Sequence, residues 1–163
     1  MAETQKAIFA AGCFWGVQFY FDQVPGVIET TVGYSGGHTK NPSYEEVCTH
    51  TTGHAEAVLV EFDPNRASYE MLVKQFFHMH DPTQLNRQGP DVGDSYRSAI
   101  FYFDDDQKQT AEKVKNSVQP DHNKPIVTQI AKAGEFYEAE DYHQKYAERT
   151  GRGMCHIPYS ALN

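Results

Sequence analysis

Nothing in this chain of 163 residues approaches the roughly 18 consecutive apolar residues that a membrane-spanning helix needs. Nor is there a Lys/Arg run. The 14 basic residues face 22 acidic ones, and the formal charge of −8 argues against nucleic acid or an anionic membrane surface as partner. Cysteine is scarce, three in all. An odd number does not make a secreted disulfide framework, so these thiols are expected to be catalytic, redox-active or simply buried in a reducing compartment. The first residues, Met1-Ala2-Glu3-Thr4-Gln5-Lys6, lack the basic-then-apolar layout of a signal peptide, and a cytoplasmic location is expected. No repeat, low-complexity stretch or linker interrupts the sequence. Residues 1–163 are therefore expected to form one domain, with a glycine-punctuated, flexible tail from about residue 150.

What is present alternates strand and helix signals. Residues 6–11 read as a strand and Cys13 to about Gln23 as a helix, ended by Pro25-Gly26. The β-branched run Val27–Tyr34 reads as a strand. Ser43 with Glu46 forms a capping box for a short helix at 44–47. Residues 55–62 read as a third strand. Ser68 to about His78 carries Met71, Leu72 and Phe76 at helical spacing. A polar loop from His80 to Tyr96 follows, long enough to be functional. Residues 97–103 read as a strand. Asp104 caps a helix running to about Val118, 125–131 reads as a strand, and 139–149 as a last helix. This order predicts an α+β fold, a two-layer α/β sandwich in which helices cover a mixed sheet.

The chemistry concentrates at Gly12-Cys13-Phe14-Trp15-Gly16. Cys13 falls at a strand-to-helix turn, where free backbone N–H groups and the positive end of the helix dipole favour thiolate. Trp15, the only tryptophan, places an aromatic wall beside it. The same position also suits a small buried thiol at a packed turn. Cys155, in the tail, is a second thiol that could reach the first and complete a redox cycle. Cys48 reads better as a buried structural thiol. Glu56 interrupts an apolar strand. Alternation puts it on one face with Val58 and Val60 without fixing which face is buried, and inward it would hold a raised pKa. Tyr34, Tyr44 and Tyr96 sit at loop edges, where phenols line pockets and donate hydrogen bonds. Cys48, His50, His54, His78, His80 and Asp81 are metal-ligand types, but their spacing matches no closed zinc site. Two rivals follow from the residues: acyl transfer by Cys13 with His54 or His143 as base, and a metal-binding module.

Gly12–Gly16 resembles the signature of the peptide methionine sulfoxide reductase A family. Gly33-Tyr34-Ser35-Gly36-Gly37, Thr52–Val58, His80-Asp81-Pro82-Thr83, Asn86–Gly89, Asp91, Gly93, Tyr96-Arg97-Ser98 and Glu138–Gln144 are similar to its later blocks, in family order. The resemblance implies a ferredoxin-like sandwich and reduction of the S epimer of methionine sulfoxide, free or in oxidised proteins under repair. It implies Cys13 as nucleophile and Phe14 and Trp15 as the seat of the substrate methyl. Glu56 would be the acid on the sulfoxide oxygen, with Tyr44 and Tyr96 as phenols bonding that oxygen and Asp91 as a supporting loop carboxylate. Cys155 would resolve the Cys13 sulfenic acid to a disulfide that thioredoxin reduces. No metal or organic cofactor is implied. Some members of the family carry two tail cysteines, whereas this sequence has one.

Overall fold

The computed structural model describes residues 4–89 and 91–150. Strand β1 (Gln5–Ala11) leads through a turn into helix α1 (Phe14–Asp22). Gly12 takes φ +97° there, a left-handed conformation that costs glycine little and lets the chain reverse directly before Cys13. Then come β2 (Val27–Ser35), the short helix α2 (Tyr44–Cys48), β3 (Ala55–Phe62) and α3 (Tyr69–Met79). The capping box is present, with the Ser43 hydroxyl accepting from the Glu46 amide while the Glu46 carboxylate accepts from that of Ser43.

The long loop is not structureless. It contains a small antiparallel hairpin, β4 (Arg87–Gln88) and β5 (Asp91–Val92), and a 3-10 turn at Asp94–Tyr96. After it come β6 (Ser98–Tyr102) and α4 (Asp105–Val118), the latter capped by Asp104 accepting from the Gln107 amide. Strand β7 covers only Gln129–Lys132. The expected strand from 125 is shortened because the Ile126 amide donates to the Gln119 side chain and the Val127 amide to the Pro82 carbonyl, away from any ladder.

The expected helix over 139–149 is corrected. Phe136–Glu138 is instead a strand, β8, on the edge of β2. A 3-10 turn at Asp141–His143 and the short helix α5 (Tyr146–Thr150) follow. Tertiary bonds override the helical pattern. The Ala139 amide donates to the Val32 carbonyl, the Gln144 side chain brackets the Val32 backbone, and Lys145 takes φ +57°. The Lys145 ammonium then pins this segment to Asp22, at 2.9 Å.

Among the described residues the strands form one six-stranded sheet, ordered β7-β6-β1-β3-β2-β8. All its neighbours are antiparallel except β6 and β7. The fold is thus α+β, a mixed sheet with helices. Alternation along the strands gives the sheet two apolar faces. Phe9, Val58, Val60 and Ile100 pack with residues of α1, α3 and α4. Ile8, Ala57, Ala99 and Phe101 face the other way. Phe9 stacks on Phe21 and Phe76, with centroids at 5.1 and 5.4 Å, and these rings anchor α1 and α3 on the sheet. β1 ends, β3 begins and β2 ends at one edge of this layer, and there α1 starts.

Candidate active site

Cys13 occupies the N-cap position of α1 and is 8% exposed. The Phe14 amide next to it is one of the helix's unpaired donors. It donates to Glu56 Oε1 at 3.2 Å. Glu56 therefore lies on the helix-covered face with Val58 and Val60, the orientation that sequence alternation left open. It is 1% exposed, and burial pushes its pKa up to about 8, against the lowering effect of the Phe14 amide and with a further push from Asp91. Its other oxygen, Oε2, is buried and has no hydrogen-bond partner. A carboxyl at that pKa is protonated near neutrality. Because Oε1 is accepting, Oε2 is the atom that carries the proton.

Two phenols stand within electrostatic range of this carboxyl. Burial, and then the nearness of Glu56, raise the pKa values of Tyr44 and Tyr96, so both remain neutral donors. Tyr96 also senses Asp91 and Cys13. Tyr44 begins α2, and its hydroxyl donates to Cys48 one turn on. Cys48 is half-buried and free, and burial raises its thiol pKa. Asp91 Oδ2 is buried and has no hydrogen-bond partner. Tyr34, directly opposite Glu56 on β2, is fully buried against Phe14, with ring centroids at 5.7 Å. The structure thus brings Cys13, Phe14, Trp15, Glu56, Tyr44, Tyr96 and Asp91 together. Cys155 lies outside the described residues.

The aromatic wall is larger than the motif suggested. Trp15 stacks on Tyr146 at 4.0 Å and on His143 at 5.6 Å, and its indole N–H donates to His143 Nδ1 at 3.0 Å. An Nδ1 acceptor leaves the proton of a neutral imidazole on Nε2, and burial lowers the His143 pKa, so the ring is neutral. Glu140 holds the floor. It accepts from the Tyr34 hydroxyl (3.1 Å), the Tyr44 amide (3.3 Å) and the Tyr142 hydroxyl (3.2 Å). Burial alone would raise its pKa, but these donors and its own amide hold it below the usual range. Nothing local to Glu140, His143 and Tyr146 marks these roles, since each acts across about 100 residues or more.

The same geometry removes the base that acyl transfer needs. His54 Nδ1 accepts from the Gly37 amide and Nε2 meets the Thr39 carbonyl, so both nitrogens are committed. The His143 lone pair belongs to Trp15. His80 is bonded on both nitrogens, to Phe76 and Ser98. Among the described residues, no group of three His, Cys, Asp or Glu is placed to hold a metal ion. A separate cleft of about 550 Å³ is lined by His78, Asp81, Asp121 and His122 among others, and none of Cys13, Phe14, Trp15, Tyr44, Glu56, Asp91 and Tyr96 lines it. No helix of the described residues is long and apolar enough to cross a membrane.

The family model for peptide methionine sulfoxide reductase matches residues 5–163. The enzyme MsrA of Methanothermobacter thermautotrophicus is 51% identical over 159 residues, which is 96% of this chain and 94% of that protein. Among solved structures, methionine sulfoxide reductase A of Corynebacterium diphtheriae superposes with a TM-score of 0.88 at 38% identity, over 95% of this chain and 83% of that one. Mxr1 of Saccharomyces cerevisiae in its reduced form gives 0.89 at 33% identity, over 93% and 88%. With the match running nearly end to end, the chain belongs to the peptide methionine sulfoxide reductase family.

Proposed function

We propose that this site reduces the S epimer of methionine sulfoxide, free or in oxidised proteins, by thiol chemistry alone. The observation that carries the proposal is Glu56: a fully buried carboxyl with one oxygen held by the helix start beside Cys13 and the other unpartnered and able to give a proton. A sulfoxide oxygen leaves sulfur poorly unless it is protonated. The Cys13 sulfur attacks the sulfoxide sulfur while Glu56 Oε2 delivers a proton to the oxygen. Tyr44 and Tyr96 donate to that oxygen as charge builds on it, and Asp91 supports the carboxyl's raised pKa. Phe14 and Trp15 seat the methyl group. The protonated oxygen then passes from the substrate sulfur to the Cys13 sulfur as the transient sulfur–sulfur bond breaks with its electron pair to the substrate; methionine departs, reduced by two electrons, and Cys13 is left oxidised by two as a sulfenic acid.

Cys155 then attacks that sulfur, releasing water and forming a Cys13–Cys155 disulfide that a thioredoxin-type dithiol reduces. The strand order β6-β1-β3-β2, with helices on one face, supports reading the core as ferredoxin-like and the chain as one reductase domain over 1–163. The odd cysteine count, three, is unlike a secreted disulfide framework and supports reading the setting as reducing and cytoplasmic. The test is racemic methionine sulfoxide with excess dithiothreitol, the epimers being resolved by chiral chromatography. Loss of the S epimer alone, abolished in Cys13→Ser, is expected. Consumption of neither epimer, or of both equally, overturns the reading.

The Trp15–His143 bond gives a second expectation. His143→Phe keeps a ring in place but removes the acceptor that fixes the indole. One hydrogen bond's worth of placement, about 0.5–1.5 kcal/mol, corresponds to a rise in KM for methionine sulfoxide of about twofold to thirteenfold, with kcat moving less. Steady-state kinetics with dithiothreitol check it, and an unchanged KM would show that Trp15 is held by stacking alone.

A further inference from the structure

We infer that His50 is a positioning residue for the Tyr96 hydroxyl, an inference that rests on the oxygen-binding role proposed above for Tyr96. His50 lies just past Thr49, the C-cap of α2, and its amide donates to the Val47 carbonyl at 3.0 Å, which ties it to the helix that begins with Tyr44. Its backbone sits at φ +60°, where a non-glycine residue is strained and a glycine would not be. The side chain is carried at that cost, and among the described residues its contacts lie on one segment. The imidazole lies against Gly93 so closely that a Cβ there would fall 2.2 Å from His50 Cε1, so only glycine fits beneath the ring. Nδ1 is 3.4 Å from Asp94 Oδ1 and 3.4 Å from the Ser95 hydroxyl, and both of those groups are withdrawn from solvent. The ring edge meets the Tyr96 ring, with centroids 6.2 Å apart at 64°.

His50 thus touches Gly93, Asp94, Ser95 and Tyr96, the residues of the 3-10 turn that presents Tyr96 to Glu56. Within the turn, Tyr96 N donates to Gly93 O at 3.1 Å and Arg97 N to Asp94 O at 3.3 Å, and the Arg97 guanidinium adds a bond to the Asp94 carbonyl at 2.9 Å. Such turns have poor hydrogen-bond geometry and hold position weakly by themselves. Tyr44 and Tyr96 are more than fifty residues apart in sequence, and one imidazole braces the segment of the second against the helix of the first. The arrangement predicts an effect on chemistry that is separable from an effect on folding.

The experiment is single-turnover methionine release from free methionine-S-sulfoxide, with thermal unfolding, on five proteins: the parent, His50→Gly, His50→Asn, Tyr96→Phe and the double variant His50→Gly/Tyr96→Phe. His50→Gly is expected to slow release about tenfold, the scale of a small misplacement of a reacting group. Its Tm should hold or rise by about 2–4 °C as the backbone strain is relieved. His50→Asn, which tolerates the left-handed backbone and keeps a short polar group, should recover most of the lost rate. In the Tyr96→Phe background, His50→Gly should change the rate by less than about twofold, because residues acting as a unit are not additive. A parent-like rate in His50→Gly, no recovery in His50→Asn, a loss that tracks a fall in Tm, or a full tenfold loss on top of Tyr96→Phe each overturns the inference. A parent-like rate in Tyr96→Phe overturns the Tyr96 reading itself, and this inference falls with it.

Discussion

Glu56→Gln is expected to cut single-turnover methionine release by about 10²–10⁴, the usual weight of an acid–base group, with the fold intact. The substitution is nearly isosteric. The amide oxygen still accepts from the Phe14 amide that now bonds Oε1 at 3.2 Å, so α1 keeps its start, but nothing remains at Oε2 that can protonate a departing oxygen. A pH series separates this loss from simple damage. With the Glu56 pKa near 8, the parent's release rate should fall as pH rises through about 8, and the variant should lack that limb. Stability should move in the same direction as activity. The folded pKa lies above the ordinary value of 4.5, so the stabilisation linked to Glu56 is complete below about 4.5. It is lost as pH rises through about 8, where folding must hold a buried charge. The linked change is up to about 5 kcal/mol across that window. Gln carries no such penalty. Urea unfolding at pH 6 and pH 9 should therefore show the parent losing stability and the variant losing much less. A near-normal release rate would remove Glu56 as the acid. An alkaline limb shared by both proteins would assign that limb to another group.

How much of this site could be read from the residues depends on the distance over which each feature is decided. The strand–turn–helix around Cys13, the Ser43–Glu46 box and the Asp104 cap are fixed within four or five residues, and all appear where expected. Glu56 was half legible. Alternation paired it with the two valines, but only the packing of α1 over β3 decides that this face is the inner one. Phe136–Glu138 was not legible as a strand. It is one only because β2 offers Gly33, Tyr34 and Ser35 as partners a hundred residues earlier. The expected helix at 139–149 failed for the same reason. Its pattern is helical, but Glu140, Gln144 and Lys145 are spent on α2, β2 and α1 respectively. His143 has the residue type of a base, and the structure makes it the acceptor that orients Trp15. The long loop was expected to be functional, but its internal hairpin and the His50 contact that braces Tyr96 depend on Gly93 and Asn86 geometry that composition does not reveal.

Cys155→Ser is expected to release one methionine per chain at the parent's single-turnover rate and then to stall with thioredoxin as reductant, by roughly 10³-fold. The size follows from tethering. A thiol on a short linker is present at about millimolar effective concentration, whereas a separate protein reductant works at micromolar concentration. The described chain supports a short tether. Tyr146, at the start of α5, stacks on Trp15 at 4.0 Å, so the last described helix departs from the aromatic wall itself. Cys155 is five residues beyond Thr150 and can reach at most about 17 Å further. Cys48 is the competing resolver. It is free and half-buried, but it accepts from the Tyr44 hydroxyl, and burial holds its pKa up, which lowers the thiolate fraction available for attack. Millimolar dithiothreitol should restore turnover in Cys155→Ser, because it substitutes for the missing thiol directly. Peptide mapping after one turnover decides between the two thiols. A Cys13–Cys155 disulfide in the parent, with Cys13 left as a trappable sulfenic acid in the variant, is the expected pattern. A Cys13–Cys48 disulfide in both proteins, with thioredoxin-driven turnover intact, would transfer the resolving role to α2 and leave Tyr44 with two tasks, donating to the substrate oxygen and releasing the thiol that follows it.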